Sequence, residues 1–413
     1  MPPNNNVKNT FERSKYSAPI RLVNKAGSVI NRIGIRPNLA QEKLVATAQR
    51  QTGLSDFGET TFEEPLAALL YSAETEADLN FIGRLLVRKM VITALSNRLR
   101  IQHEITEHAE ITDAPIKKPL FIIGYPRTGT TLLHSLLALD KKKRTLKMYE
   151  ALNPAKQPVK NRHQLDPRIA EAEKFIKATH YVSPQMQVIH PLSATGPDEC
   201  LKLIENTFTS PHFLLYFNAP KYLQWLMEQD NNTLTGIYAY HRKQLQLVAR
   251  GETDVHWVLK APIHLFFLEA LLSAYPDAHI VHLHREPLAA ISSFCSLAAV
   301  SRSIGSDKVN PTDVGKFALD LYERSNRYAL LARGKASDPR QFYDVCYQDL
   351  VGDPMGTIEK IYGHFGYPAN PSLENSVTSW LAKNPQHKHG AHRYSMETFG
   401  LNPERITRIS AST

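Results

Sequence analysis

Pro119-Leu120-Phe121-Ile122-Ile123-Gly124-Tyr125-Pro126-Arg127-Thr128-Gly129-Thr130-Thr131-Leu132-Leu133 decides the fold. Residues 120–123 form a short apolar run of the kind that makes a buried parallel strand. A glycine-bearing loop follows at once, and Thr130-Thr131 opens an apolar-periodic stretch carrying Leu132, Leu133, Leu136 and Leu137. Strand, loop and helix N-terminus in that order aim unpaired backbone N–H groups and the positive end of a helix dipole at one spot. Such a spot binds a phosphate-like anion. The nucleotide-triphosphate form of the loop ends in Gly-Lys-[Ser/Thr]. Here Gly129 is followed by Thr130, and the cation Arg127 precedes that glycine by two residues. The metal-binding logic of an ATP loop is therefore incomplete.

A second apolar run, 278–283, leads into His284-Arg285-Glu286-Pro287 and a helical stretch carrying Ser293. A guanidinium fork engages two phosphate oxygens at once, and a hydroxyl adds one donor. Taken alone, Arg285 reads equally as a surface partner of Glu286 or as a helix-end arginine. A third run, Trp257-Val258-Leu259-Lys260-Ala261-Pro262, places Lys260 at a strand end.

Together these segments resemble the sulfotransferases that use 3′-phosphoadenylyl sulfate (PAPS). In that family a Pro-[Lys/Arg]-[Ser/Thr]-Gly-[Thr/Ser]-[Thr/Ser] loop grips the 5′-phosphosulfate, and residues 126–131 match it at every position. The resemblance assigns Arg127, Thr128, Gly129, Thr130 and Thr131 to the cofactor. It assigns Arg285 and Ser293, a strand-end arginine with a serine eight residues on, to the 3′-phosphate. Tyr347-Gln348-Asp349-Leu350, followed by Asp353-Pro354, is similar to a segment lying near the nucleotide, which adds Tyr347. Lys388 and Arg393 sit where the family has a basic loop closing over the 3′-phosphate. The resemblance covers roughly residues 117–400. It implies an α/β fold, a parallel sheet flanked by helices of the P-loop-like sulfotransferase type, with an N-terminal helical region and a helical insertion.

The implied reaction moves the sulfuryl group of PAPS to a hydroxyl or amine of a small organic acceptor, leaving adenosine 3′,5′-bisphosphate. Arg127 and Lys260 supply fixed positive charge at the leaving oxygen, and no metal is expected. Glu199, in Gly196-Pro197-Asp198-Glu199-Cys200, is the first choice for the base. Pro197 reads as the first position of a helix, with Asp198 and Glu199 in its first turn. Two acids there equally answer the helix dipole. His264, four residues after Lys260, is the rival base. A P-loop kinase or NTPase, or a non-catalytic nucleotide-binding protein, remains the alternative class.

The chain has 413 residues, a length that exceeds the usual single core, and 42% of them are apolar. We divide it into an N-terminal arm and helical region (1–116), a catalytic α/β domain (117–400, with a helical insertion at about 140–250) and a tail (401–413). Helices are predicted from Asn38 to Thr52, closed near Gly53, and from Thr75-Glu76-Ala77-Asp78 to about Ile101. They either pack as a layer on the catalytic domain or contribute to the acceptor pocket or a dimer surface, so a homo-oligomer stays open. Strands are expected at 119–124, 255–260, 278–284 and 341–347. The net charge of +9 suits an anionic small ligand. No basic stripe interleaved with aromatics points to nucleic acid. Residues 1–6 offer no secretory leader, no run reaches the roughly 18 apolar residues of a membrane span, and Cys200, Cys295 and Cys346 read as reduced thiols. A cytoplasmic enzyme is expected. Aromatic residues in the insertion tilt the acceptor toward something apolar.

Overall fold

The computed structural model describes residues 20, 22–27, 36–156, 165–189, 191–252, 254–385 and 396–412. Five parallel strands, β1 (Leu120–Gly124), β2 (Arg144–Thr145), β3 (Trp257–Lys260), β4 (His279–His284) and β5 (Phe342–Cys346), form one sheet in the order β2-β3-β1-β4-β5. Four of them fall where the apolar runs place them. The fifth, β2, was not expected: two residues are too short for any pattern, and it exists because Arg144 and Thr145 pair with Trp257 and Val258. Every residue of β1 and β3 is buried, which is why they read as continuous apolar runs rather than alternating ones. β1 lies at the centre, with Ile122 opposite Lys260 on one side and Val281 on the other. The chain leaves β1 toward β2 and β3, then crosses back to β4 and β5. The carboxyl end of β1 is therefore where ligands bind in open α/β sheets.

Of the helices, we label those used below: α1 (Gln41–Thr52), α2 (Glu63–Thr75), α3 (Phe81–Glu107), α4 (Thr130–Leu137), α5 (Pro167–Val182), α6 (Asn231–Val248), α7 (Pro287–Gly305), α8 (Pro311–Lys335), α9 (Pro354–Phe365) and α10 (Pro371–Lys383). Alternate strand residues feed two cores. Phe121, Leu259 and Ile280 join a core that also holds Leu44, Leu66 and Leu95 of α1–α3. Leu120, Ile122 and Val281 pack with Leu133, Leu136 and Leu137 of α4 and with Ile358 and Leu373 of α9 and α10. The N-terminal helices thus share a core with the sheet.

Two helix boundaries differ from expectation. α1 begins at Gln41, because the Asn38 side chain accepts the Ala40 N–H (2.7 Å) in a turn of its own rather than capping the helix. Its end is as expected: Gly53, at φ 71°, closes it with a bond to Gln49 O. Thr75-Glu76-Ala77-Asp78 does not start the long helix. Thr75 ends α2, Asp78 takes a left-handed conformation (φ 47°), and Asn80 caps α3 by accepting the Gly83 N–H at 2.8 Å. Among the described residues, α7 alone has the length and composition to cross a membrane, and 78% of its most apolar window is buried inside the protein.

α3 and α7 touch through glycines. The Asn80 N–H donates to Gly305 O at 2.9 Å, and a Cβ on Gly83 would lie 2.0 Å from that oxygen. We expect Gly83→Ala to force the helices apart and to cost about 1–3 kcal/mol in urea unfolding. Gly236→Ala, on an exposed turn of α6 where a Cβ meets nothing within 4 Å, should instead raise stability by up to about 1 kcal/mol. Equal effects at the two sites would contradict the packing described.

Candidate active site

The turn between β1 and α4 is held by its own atoms. Thr128 folds the loop back by donating its N–H (3.3 Å) and its hydroxyl (2.8 Å) to Tyr125 O. Its hydroxyl is thus spent on the loop, and the side chain is buried. Arg127 takes φ 73° and Gly129 φ 96°, left-handed conformations that cost a non-glycine residue about 1–2 kcal/mol. A Cβ on Gly129 would come within 2.9 Å of the Tyr347 ring. The first N–H groups of α4, from Thr130 and Thr131, have no carbonyl one turn back and open onto this spot.

Arg285 closes the other side. Its guanidinium donates to Arg127 O at 2.8 Å and lies 4.3 Å over the Tyr347 ring. The Glu286 alternative fails, because that carboxylate caps α7 by accepting the N–H groups of Leu288 (2.8 Å) and Ala289 (2.6 Å). Ser293, two turns along α7, accepts the Arg127 Nε–H at 3.1 Å, and Arg127 also reaches Ile189 O at 3.4 Å. Arg285, Ser293 and Tyr347 are thus gathered around Arg127 and Gly129, next to Thr130 and Thr131. Lys388 and Arg393 lie outside the described residues.

Lys260 ends β3 with its side chain only 3% exposed. Its ammonium donates to Thr131 Oγ1 at 3.3 Å and forms an ion pair with Glu199 Oε1. The Cys200 N–H donates to Lys260 O at 3.0 Å, which pins the glutamate strand against the end of β3. Pro197 is not a helix start. It bridges to Lys147, and the helix begins at Leu201. Asp198 and Glu199 thus precede that helix, and the dipole argument for their presence falls away. Asp198 accepts the Glu199 N–H at 2.8 Å, and burial raises its carboxyl above the ordinary value.

His264 is not brought to this place. It is fully buried, edge-on to Phe121, with Nδ1 2.8 Å from the Tyr238 hydroxyl. Burial pushes its pKa well down. As a base it would have no path to an acceptor.

A cavity of about 370 Å³ opens beside Lys260 and Glu199. Its walls are largely apolar: Leu86 and Met90 of α3, Phe175 of α5, Phe294 and Leu297 of α7, and Phe317 of α8, with Arg127, Thr130 and Thr131 at one end. Here the layer reading of the N-terminal helices is incomplete, because α3 forms one wall. Its face carrying Leu86 and Met90 lines the cavity, while Val91, Leu95 and Leu99 enter the core. Of the insertion's aromatics, Phe208, Phe213 and Tyr238 are core, Phe217 is core and also borders the cavity, and Tyr216 lines it. Lys202 and His212 also line it, and neither was singled out in the sequence. Lys202 and Glu205 stand three residues apart, the spacing of a helical ion pair, which could have flagged them.

Fold and site define an α/β enzyme with a strand–loop–helix cradle at one end of a largely apolar cavity. The family model of the sulfotransferase family matches residues 119–371. Sulfotransferase STF1 from Mycobacterium tuberculosis H37Rv superposes with a TM-score of 0.81 at 33% identity, covering 92% of this chain and 100% of that one. Sulfotransferase STF9 from Mycobacterium avium gives 0.82 at 27% identity, covering 92% and 96%. The omega-hydroxy-beta-dihydromenaquinone-9 sulfotransferase of Mycobacterium tuberculosis (strain CDC 1551 / Oshkosh) is 29% identical over 306 residues, 70% of this chain and 74% of that protein. The chain belongs to the sulfotransferase family, and its activity is sulfuryl transfer; the kinase and non-catalytic alternatives fall with that.

His134 backs the cradle from α4, its Nε2 3.3 Å from Val258 O of β3. Burial, aided by Lys260, lowers its pKa from 6.5 to about 3. The unfolded chain therefore binds one more proton than the native one between those values. The contribution is fully present above about pH 6.5 and is lost as pH falls toward 3. His134→Gln should flatten the fall in unfolding free energy between about pH 6 and 4 by up to roughly 1.4 kcal/mol per pH unit. An unchanged slope would show that His134 titrates normally.

Proposed function

We propose that PAPS is the donor, an apolar alcohol the acceptor, and Glu199 the base. The observation that carries this reading is the position of Lys260, whose ammonium contacts both Thr131 on the cradle and Glu199 at the cavity end. The donor set suits PAPS. Backbone N–H groups of α4, Thr130, Thr131 and Lys260 would take the 5′-phosphosulfate, and Arg285 with Ser293 the 3′-phosphate. Tyr347 would position Arg285 from beneath. Arg127 lies between the two groups, through its bond to Ser293.

The acceptor oxygen attacks sulfur as the bond from sulfur to the bridging phosphate oxygen breaks. The electron pair stays on the leaving phosphate, and the acceptor proton passes to Glu199. Charge builds on the bridging oxygen, where Lys260 and the N–H groups stabilise it. A sulfuryl group carries a single negative charge, so cations borne by the protein suffice. Deprotonation is late: the acceptor oxygen becomes acidic only as its bond to sulfur forms, so a carboxylate of modest basicity serves. The apolar cavity walls support an apolar acceptor, as does the menaquinone derivative in the mycobacterial relative's name. Three unpaired thiols, among them exposed Cys346, support a reducing, cytoplasmic setting.

Calorimetry tests the donor. Adenosine 3′,5′-bisphosphate should bind without magnesium and far better than AMP or ATP. Arg285→Ala removes a charge-assisted contact worth about 2–4 kcal/mol and should weaken binding roughly 30- to 1,000-fold. Equal binding of ATP would refute the 3′-phosphate assignment.

Single-turnover transfer of labelled sulfate tests the base and the cation. Glu199→Gln should slow transfer about 10²- to 10⁴-fold with bisphosphate affinity retained. Lys260→Met should depress kcat more than it weakens bisphosphate. A folded Glu199→Gln protein that keeps most of its rate would remove Glu199 from the mechanism.

A further inference from the structure

Away from the cradle, an ion-paired cluster lines the largely apolar cavity. Lys202, Glu205, His212 and Tyr216 all line it, yet their side chains are largely withdrawn from solvent: Lys202 is 20% exposed, Glu205 8% and His212 11%. Lys202 Nζ donates to both oxygens of Glu205, at 3.0 and 2.8 Å. His212 Nδ1 contacts Glu205 Oε1, and its Nε2 lies 3.5 Å from the Tyr216 hydroxyl. The ammonium also stands 5.4 Å over the Tyr216 ring. Burial alone would raise the Glu205 carboxyl, but Lys202 and His212 outweigh it and hold it down to about 2.

The His212 Nδ1–H donates to the Glu205 carboxylate, and on the other side of the ring Nε2 faces the Tyr216 hydroxyl at 3.5 Å. Lys202 spends two contacts on Glu205, out of the three donors an ammonium has. The neighbouring amides behave differently. Asn206 gives its NH₂ to Gln244 at 2.8 Å and takes a bond from Asn97 at 3.2 Å, while Asn97 also bonds Leu152 O at 2.9 Å. Those groups tie helices together. Lys202, His212 and Tyr216 present polar atoms to a cavity whose lining is largely hydrocarbon.

We propose that Lys202, His212 and Tyr216 form a recognition site for a second, neutral oxygen function of the acceptor, a carbonyl or hydroxyl remote from the oxygen that is sulfated. The proposal rests on the apolar-alcohol reading above. Neutrality follows from the charges: Lys202 and Glu205 cancel, and a carboxylate on the acceptor would meet Glu205. A network of this kind discriminates well, because an acceptor lacking the oxygen leaves buried polar groups without a partner.

The test uses the full chain saturated with adenosine 3′,5′-bisphosphate. It measures equilibrium binding of 1-decanol and of a series of 10-carbon hydroxy-ketones with the carbonyl moved along the chain. One or two carbonyl positions should bind at least about 5-fold tighter than 1-decanol, the worth of one net hydrogen bond. Tyr216→Phe and Lys202→Met should each shrink that ratio toward one, while the bisphosphate affinity and the unfolding midpoint confirm an intact fold. Equal binding of decanol and every ketone overturns this inference alone, as does a preference that survives both variants. No binding of any alcohol overturns the apolar-acceptor reading and this inference with it.

Discussion

The reversal between β1 and α4 is the constraint on which the site depends. A helix that begins right after a buried central strand has its first N–H groups unbonded, and the chain must turn sharply to reach it. Two left-handed residues, Arg127 and Gly129, make that turn. Thr128 ties its inside, Arg285 holds its outer carbonyl, and Tyr347 leaves no room for a side chain at Gly129. A non-glycine residue at φ 73° persists only where its surroundings over-determine it. The contacts of Arg127 with Ser293, Ile189 O and Arg285 do that. Strand β4 and helix α7 are thereby locked to the loop, and the two proposed phosphate positions become parts of one rigid unit.

The second organising feature is a nearly buried ion pair. Desolvating Lys260 and Glu199 costs several kcal/mol per ion, and their mutual attraction offsets this only where other bonds help. Thr131 helps Lys260, and the glutamate strand is held by the Cys200 bond to Lys260 O. Such a pair is poor value as pure stability. In the proposed mechanism it would store a cation and a base at the boundary between the cradle and the apolar cavity. A donor phosphosulfate entering the cradle would compete for the ammonium and free the carboxylate for the acceptor proton.

Much of this was legible in the sequence because it is local. Residues 119–133 carry strand, turn and helix start in one window, and Arg285 with Ser293 carry a spacing of two helical turns. Local reading failed where tertiary contacts decide. β2 is two residues that pair only because β3 lies beside them. Pro197 resembles a helix start, yet Lys147 draws it into a bridge. His264, close to Lys260 in sequence, faces the opposite way into the aromatic core around Tyr238. The cavity was the least legible element, since its walls come from α3, α5, α7 and α8, and an apolar helix face looks the same whether it meets core or ligand.

One structure would test the account most directly, that of the full chain with adenosine 3′,5′-bisphosphate bound. The account predicts the 5′-phosphate at the N-terminus of α4 within hydrogen-bond reach of Lys260, and the 3′-phosphate on Arg285 and Ser293. A nucleotide bound in the opposite sense, or one whose 5′-phosphate leaves Lys260 paired with Glu199 alone, would contradict it.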